Sequence, residues 1–293
     1  MLLTTPAHPD PTTPHDDPVT GGDRAGCGYV VLEKVHGRTS VTRLEGRSPL
    51  KLLAPRPVGP AAWVVLSSFG GGLVAGDHLH LDLSACDDTR ALVTTQSATK
   101  VYPSSPDKPC SQDVLARVGA GALLAWLPDP VICFRDAVYK QTQRFLLEPG
   151  ASLSLLDCLS SGRRARGEAW AFTRYSARAE VHVAGSPAFC ESLLLDPANG
   201  PIDGPFRTGG FHCLATVVML GPLLAQAAGN ILAQVASMPL DRQASLLIAA
   251  SPLHDGLILR LAGDRPESVY AALRERLGMV LALFGDDPWK RKW

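Results

Sequence analysis

The chain has 293 residues, enough for one large core, and carries 28 basic and 28 acidic side chains, so its formal net charge is zero. A neutral balance excludes the basic excess that nucleic acid would demand and permits self-association or co-assembly instead. Aromatics make up 6% of the chain, while 27 glycines and 24 prolines predict many turns and hence many short strands. Seven dispersed cysteines (Cys27, Cys86, Cys110, Cys133, Cys158, Cys190, Cys213), odd in number and without a CxxC pair, exclude a disulfide framework and predict a reducing compartment. The first residues lack the basic and apolar regions of a secretory signal, and the apolar runs are too short to span a bilayer. A soluble cytoplasmic chain with no membrane partner is the expectation.

In chain order, residues 1–25 are rich in Pro, Thr, Asp and His and predict a flexible tail, followed by one domain over 26–293. Strands are predicted from Tyr29–Leu32 and Thr39–Leu44. After a proline-broken link comes the apolar run Trp63–Leu66. The next stretch holds four glycines in seven residues (Gly70, Gly71, Gly72, Gly76) and ends at Asp77. From there His78, His80 and Asp82 alternate with Leu79, Leu81 and Leu83, the mark of a strand with one buried face. Further strands are read at Arg90–Thr95, Val114–Val118, Ala122–Leu127, Phe145–Leu147 and Ala151–Asp157. Ala91, Ala122 and Ala151 each follow a turn at intervals near 30 residues, which predicts stacked β-hairpins coiled into a superhelix. In the last third, Leu224–Ala236 and Pro266–Leu283 carry helical periodicity, the second with Pro and Glu in its first turn, and bracket a hairpin over His254-Asp255-Gly256. The fold class expected is mainly β with a few helices, an α+β chain with two helices in its C-terminal third.

Each chemical motif has a bland alternative. The glycine run is no phosphate loop: GxxxxGK[ST] is absent, Asp77 would repel phosphate, and a strand follows rather than a helix. GxGxxG fails at Ala75 and also lacks its helix. No GxSxG elbow exists. His78, His80 and Asp82 share a strand face and could share a cation, as in a β-helical metal-dependent hydrolase; the simpler reading is a solvated strand face, since no fourth ligand is near. Two polar blocks remain, Thr94–Lys100 and the basic loop Gly162–Glu168. Stacked strands would bring them near Asp77 and build a polar channel or a partner surface.

These residues also carry a resemblance. Ser67–Asp77, Thr94–Tyr102, Leu127-Pro128-Asp129-Pro130-Val131 and Ser161-Gly162-Arg163 through Gly167-Glu168, in this order, look like the urease accessory protein family UreD (also called UreH). The likeness runs from about Gly28 to the C-terminus, with wording near Pro128–Phe134 and Tyr139–Gln143 closest to the plant and fungal branch. Two departures stand out: Ala75 in the glycine run, and Asp87-Asp88-Thr89 where the family has a glycine-alanine turn. The resemblance implies a scaffold rather than an enzyme. It implies binding to UreF, through it to the GTPase UreG, and to apo-urease, with a 2:2 assembly with UreF compatible. Nickel would be in transit, with no cofactor held tightly. By position, the resemblance points to Asp77 and Glu168 as lining the nickel path, with Thr94, Thr95 and Lys100 beside it. Arg163 would orient the acid, and Gly71, Gly72 and Gly76 would shape the turn.

Overall fold

The computed structural model describes residues 24–56, 59–239, 241, 243–285, 287 and 289. The expected tail, 1–25, lies almost wholly outside the described residues. The described chain is mainly β, a β-solenoid of about four turns with two helices near its C-terminus. Its elements are β1 (Cys27–Val35), β2 (Arg38–Gly46), β3 (Leu50–Leu53), β4 (Ala62–Ser68), β5 (His78–Ala85), β6 (Arg90–Thr95), β7 (Thr99–Val101), β8 (Cys110–Val118), β9 (Leu123–Trp126), β10 (Val131–Cys133), β11 (Val138–Leu147), β12 (Ser152–Ser160), β13 (Arg174–Val183), β14 (Ser186–Leu195) and β15 (Cys213–Leu220). Then follow α1 (Ala225–Ala236), β16 (Leu246–Leu253), β17 (Gly256–Gly263) and α2 (Pro266–Ala282).

Consecutive strands of the solenoid alternate between two sheets. The first sheet runs β14-β13-β11-β8-β5-β1-β2; the second runs β16-β17-β15-β12-β9-β6-β4-β3, with β7 and β10 joined at its side. In the second sheet Ala62 lies beside Ala91, Ala91 beside Leu124 and Leu124 beside Leu153, steps of 29, 33 and 29 residues. In the first sheet His78 lies beside Ser111, Ser111 beside Lys140 and Lys140 beside Ser176, steps of 33, 29 and 36. The superhelix expected from the 30-residue spacing is therefore present, with one correction of detail. Strands adjacent in sequence across the coil are not hairpin partners. Each pairs in parallel with its equivalent one turn away, because the turn between them carries the chain to the opposite sheet. Antiparallel pairing is kept for the ends: β1–β2, β3–β4, β13–β14, β12–β15, β15–β17 and β16–β17.

Period-2 patterning decides which side chains fill the space between the sheets. Leu79, Leu81 and Leu83 of β5 meet Ala91 and Val93 of β6, Leu153 and Leu155 of β12, and Phe145 of β11 in one core. The opposite face of the second sheet, with Leu92, Leu156, Val217, Leu259 and Leu261, is covered by Ile231 of α1 and by Val269, Leu273, Leu277 and Val280 of α2. Spacings of three and four along α2 put those residues on one stripe, and Pro266 and Glu267 start the helix. β12 is buried on both faces, so a polar side chain within it must be satisfied inside the protein.

Candidate functional site: a polar path between the sheets

The glycine stretch forms a short 3-10 turn at Phe69–Gly71, then enters β5. Gly71 has φ +75° and Gly76 has φ +88°, angles that favour glycine. Gly72 serves close approach: a Cβ there would stand 2.6 Å from the Tyr102 ring and 2.7 Å from the Lys100 carbonyl oxygen. Asp77 closes its own turn, its Oδ2 accepting the Val74 N–H at 2.9 Å. The Asp87 carboxylate of the departing turn accepts the Ala120 N–H at 2.9 Å, tying successive coils together.

The other residues of interest fall in three places. Glu168 is buried beside the basic loop and is clasped by Arg163, whose Nε and Nη2 donate at 2.9 and 2.5 Å; the Arg135 N–H adds a bond at 3.3 Å. The Arg163 bonds hold the Glu168 carboxyl below its ordinary range. The same guanidinium lies 3.9 Å from the centre of the Phe134 ring. Thr94 and Thr95 bind the next coil, Thr94 Oγ1 donating to the Leu127 carbonyl at 2.7 Å and Thr95 Oγ1 to Asp129 at 2.9 Å. Lys100 accepts the Leu73 N–H through its carbonyl at 2.8 Å. His78, His80 and Asp82 lie on the outer face of the first sheet. His78 meets Ser111 at 2.7 Å, Asp82 is paired with Arg117 at 2.6 Å, and the three do not converge. Among the described residues no group of three or more His, Cys, Asp or Glu is placed to hold a metal ion.

What the fold does bring together is a row of polar side chains inside the sandwich. A cavity of about 290 Å³ opens beside the glycine turn and is lined by Ser67, Ser68, Gly71, Thr95, Thr99 and Gln112 among others. A constriction of about 10 Å³ follows, sharing Thr95, Thr99 and Gln112 with it and adding Asp129, Gln141, Gln143 and Asp157. Asp157 also lines a third cavity of about 40 Å³, with Glu191 and Thr216, on the far side. Shared wall residues set the three cavities side by side in the interior, and the middle one has room for about one water molecule.

Asp157 and the two glutamines were not among the residues singled out from the sequence. The signal was present: an acid inside the apolar strand Leu153–Leu159, and Gln141 and Gln143 alternating within β11. At the waist Gln141 Nε2 donates to Asp157 Oδ1 at 3.4 Å, and the Gln143 carbonyl oxygen is buried without a partner. Burial pushes the Asp157 carboxyl up to about 6, the field of Glu191 adding to it and the Gln141 bond opposing it. The donors are amide, hydroxyl and carboxylate oxygens, which hold a borderline divalent cation weakly.

The class the fold defines is a β-solenoid with two helices and a row of polar cavities between its sheets. A sequence model described as UreD urease accessory protein matches residues 24–293. The urease accessory protein UreD of Anaeromyxobacter sp. (strain Fw109-5) is 48% identical over 92% of this chain and 90% of its own. That of Sorangium cellulosum is 44% identical over 96% and 92%. The urease accessory protein D of Oryza sativa subsp. indica is 35% identical over 90% and 95%. The chain belongs to the UreD urease accessory protein family, and its role is an accessory one in urease maturation. No helix among the described residues is long and apolar enough to cross a membrane.

Proposed function

We propose that this chain is the scaffold of a cytoplasmic urease-maturation complex and conducts nickel along the route between its sheets. In this reading it binds a UreF-like protein, through it a UreG-like GTPase, and apo-urease, and nickel is cargo rather than a resident cofactor. The observation that carries the reading is the shared lining of the three cavities, Thr95, Thr99 and Gln112 at one junction and Asp157 at the other. A hydrated divalent cation cannot fit the waist. It must exchange water for the oxygens of Gln143, Gln141 and Asp157, and weak oxygen donors allow it to leave again. Asp77 and Glu168 do not line these three cavities; in this reading they remain path acids beside them, Asp77 at the glycine turn and Glu168 under the Arg163 clasp.

The experiment compares Asp157→Asn and the Asp77→Ala/Glu168→Ala double variant with the unaltered chain, scoring nickel-dependent urease activation and co-purification with UreF- and UreG-like partners. Asp157→Asn is expected to keep the partners and to lower activation at limiting nickel by about tenfold, the value of one lost charged contact. The double variant, if folded, is expected to lose less. Full activation by Asp157→Asn would overturn the conduction reading.

A further inference from the structure

We infer that Arg260 is the gatekeeper of the Asp157 end of the route, latching the two sheets together through Glu191. The inference rests on the conduction reading above and adds its control. Cross-strand partners share a face, so the pairing of Asp157 with Thr216 and of Thr216 with Arg260 places the three side chains in one row, running outward from β12 through β15 to β17. The row faces the first sheet: Leu155 and Leu159 beside Asp157, Val218 beside Thr216 and Ile258 beside Arg260 all pack in the core between the sheets. From that first sheet, edge strand β14 sends Glu191 into the wall of the same 40 Å³ cavity that Asp157 lines. Arg260 Nη2 meets Glu191 Oε1 at 2.6 Å. The ion pairs of Asp82, Asp113 and Glu180 stay within one sheet, whereas this one crosses from one sheet to the other at the point where the route leaves the core.

The chemistry of the latch is that of a valve. Closed, the guanidinium occupies the Glu191 carboxylate and sets a positive charge in front of any divalent cation leaving Asp157. Open, Glu191, already in the wall of the Asp157 cavity, loses its cation, and two carboxylates then offer the metal a way out. The pair is partly solvated, with side-chain exposures of 52% for Arg260 and 29% for Glu191. An ion pair of that kind shifts an equilibrium by no more than about fivefold, so docking of a partner at this edge can open it without unfolding anything.

The test uses the full chain in its complex with apo-urease, nickel as the probe, and activation measured with and without excess EDTA, which is too large for the route. Arg260→Met keeps the aliphatic stem and removes the latch. It is expected to activate normally without EDTA and to lose about two- to fivefold more activation than the unaltered chain when EDTA is present, because the mouth then leaks. Arg260→Lys should behave as the unaltered chain. Arg260→Gln breaks the latch with a neutral polar side chain, leaves both carboxylates of the cavity in place, and should show the same EDTA sensitivity even if Arg260→Met lowers the melting temperature. Unaltered EDTA sensitivity in both latch-breaking variants would overturn the gate. Asp157→Asn separates the two claims: if it activates fully without EDTA, conduction itself fails, whatever Arg260 does.

Discussion

At the scale of single residues, the buried Glu168 and the part-buried Asp157 are handled in opposite ways. Among the described residues no ion pair forms at Asp157; burial, helped by the field of Glu191 and opposed by the Gln141 bond, pushes its carboxyl from an ordinary 3.8 to about 6. The folded protein thus holds this proton more tightly than the unfolded chain does. Stability from the group is present below about pH 4 and is lost as pH rises through about 6. Asp157→Asn should therefore be more stable than the unaltered chain at pH 7.5, on the order of 1–2 kcal/mol, and the gain should vanish by pH 4 in denaturant melts. Glu168 behaves the other way, since the Arg163 clasp lowers its pKa. Its contribution is present above the ordinary glutamate range and is lost as pH falls through the folded value. Arg163→Ala should lower the melting temperature at pH 7, leaving a buried carboxylate without its partner, and lower it less at pH 4 where the acid takes up a proton.

At the scale of elements, the glycine turn and the second polar block hold each other. Gly72 lies against Tyr102 and the Lys100 carbonyl, and Leu73 exchanges backbone hydrogen bonds with Lys100 and Tyr102 at 2.8 and 2.9 Å. Gly72→Ala must push these apart and disturb the turn beside the 290 Å³ cavity, at a cost of about 1–3 kcal/mol. Gly70→Ala meets nothing within 4 Å and carries only the strain of φ +75°, about 1 kcal/mol. Thermal melts of the two variants should rank them in that order. α2 is the lid of the second core: Leu273 is fully buried against the second sheet, and Leu273→Ala should cost about 2–5 kcal/mol by denaturant titration.

At the scale of the whole molecule, successive turns of the solenoid contact their neighbours and bury one continuous core, so the route inside exists only once several turns have stacked. The family match begins at residue 24. A chain starting at residue 24 is therefore expected to melt and to support urease activation as the full chain does; a lower melting temperature would assign the leading residues a part in the fold. Zero net charge and exposed side chains such as Phe69, Val74, Leu194 and Phe206 suit a protein that works in contact with others.

The sequence by itself determined several of the strands, the two helices, the spacing near 30 residues and the family, because these depend on local periodicity, turn chemistry and ordered motifs, while β13, β14 and β15 went unread. The alternation of Leu79, Leu81 and Leu83 placed β5 and its buried face correctly, and Pro266 with Glu267 marked the start of α2. Only the tertiary structure decided which strands pair, since a turn that closes a hairpin and one that crosses to the other sheet use the same glycines and acids. It also decided which acids meet. Asp157 and Glu191 are 34 residues apart and lie on different sheets, yet they line one cavity; Asp77 sits beside the glycines that first mark it and turns its carboxylate back onto Val74. The row of polar cavities is a property of registers summed over four coils, and no single strand carries enough of it to be read alone.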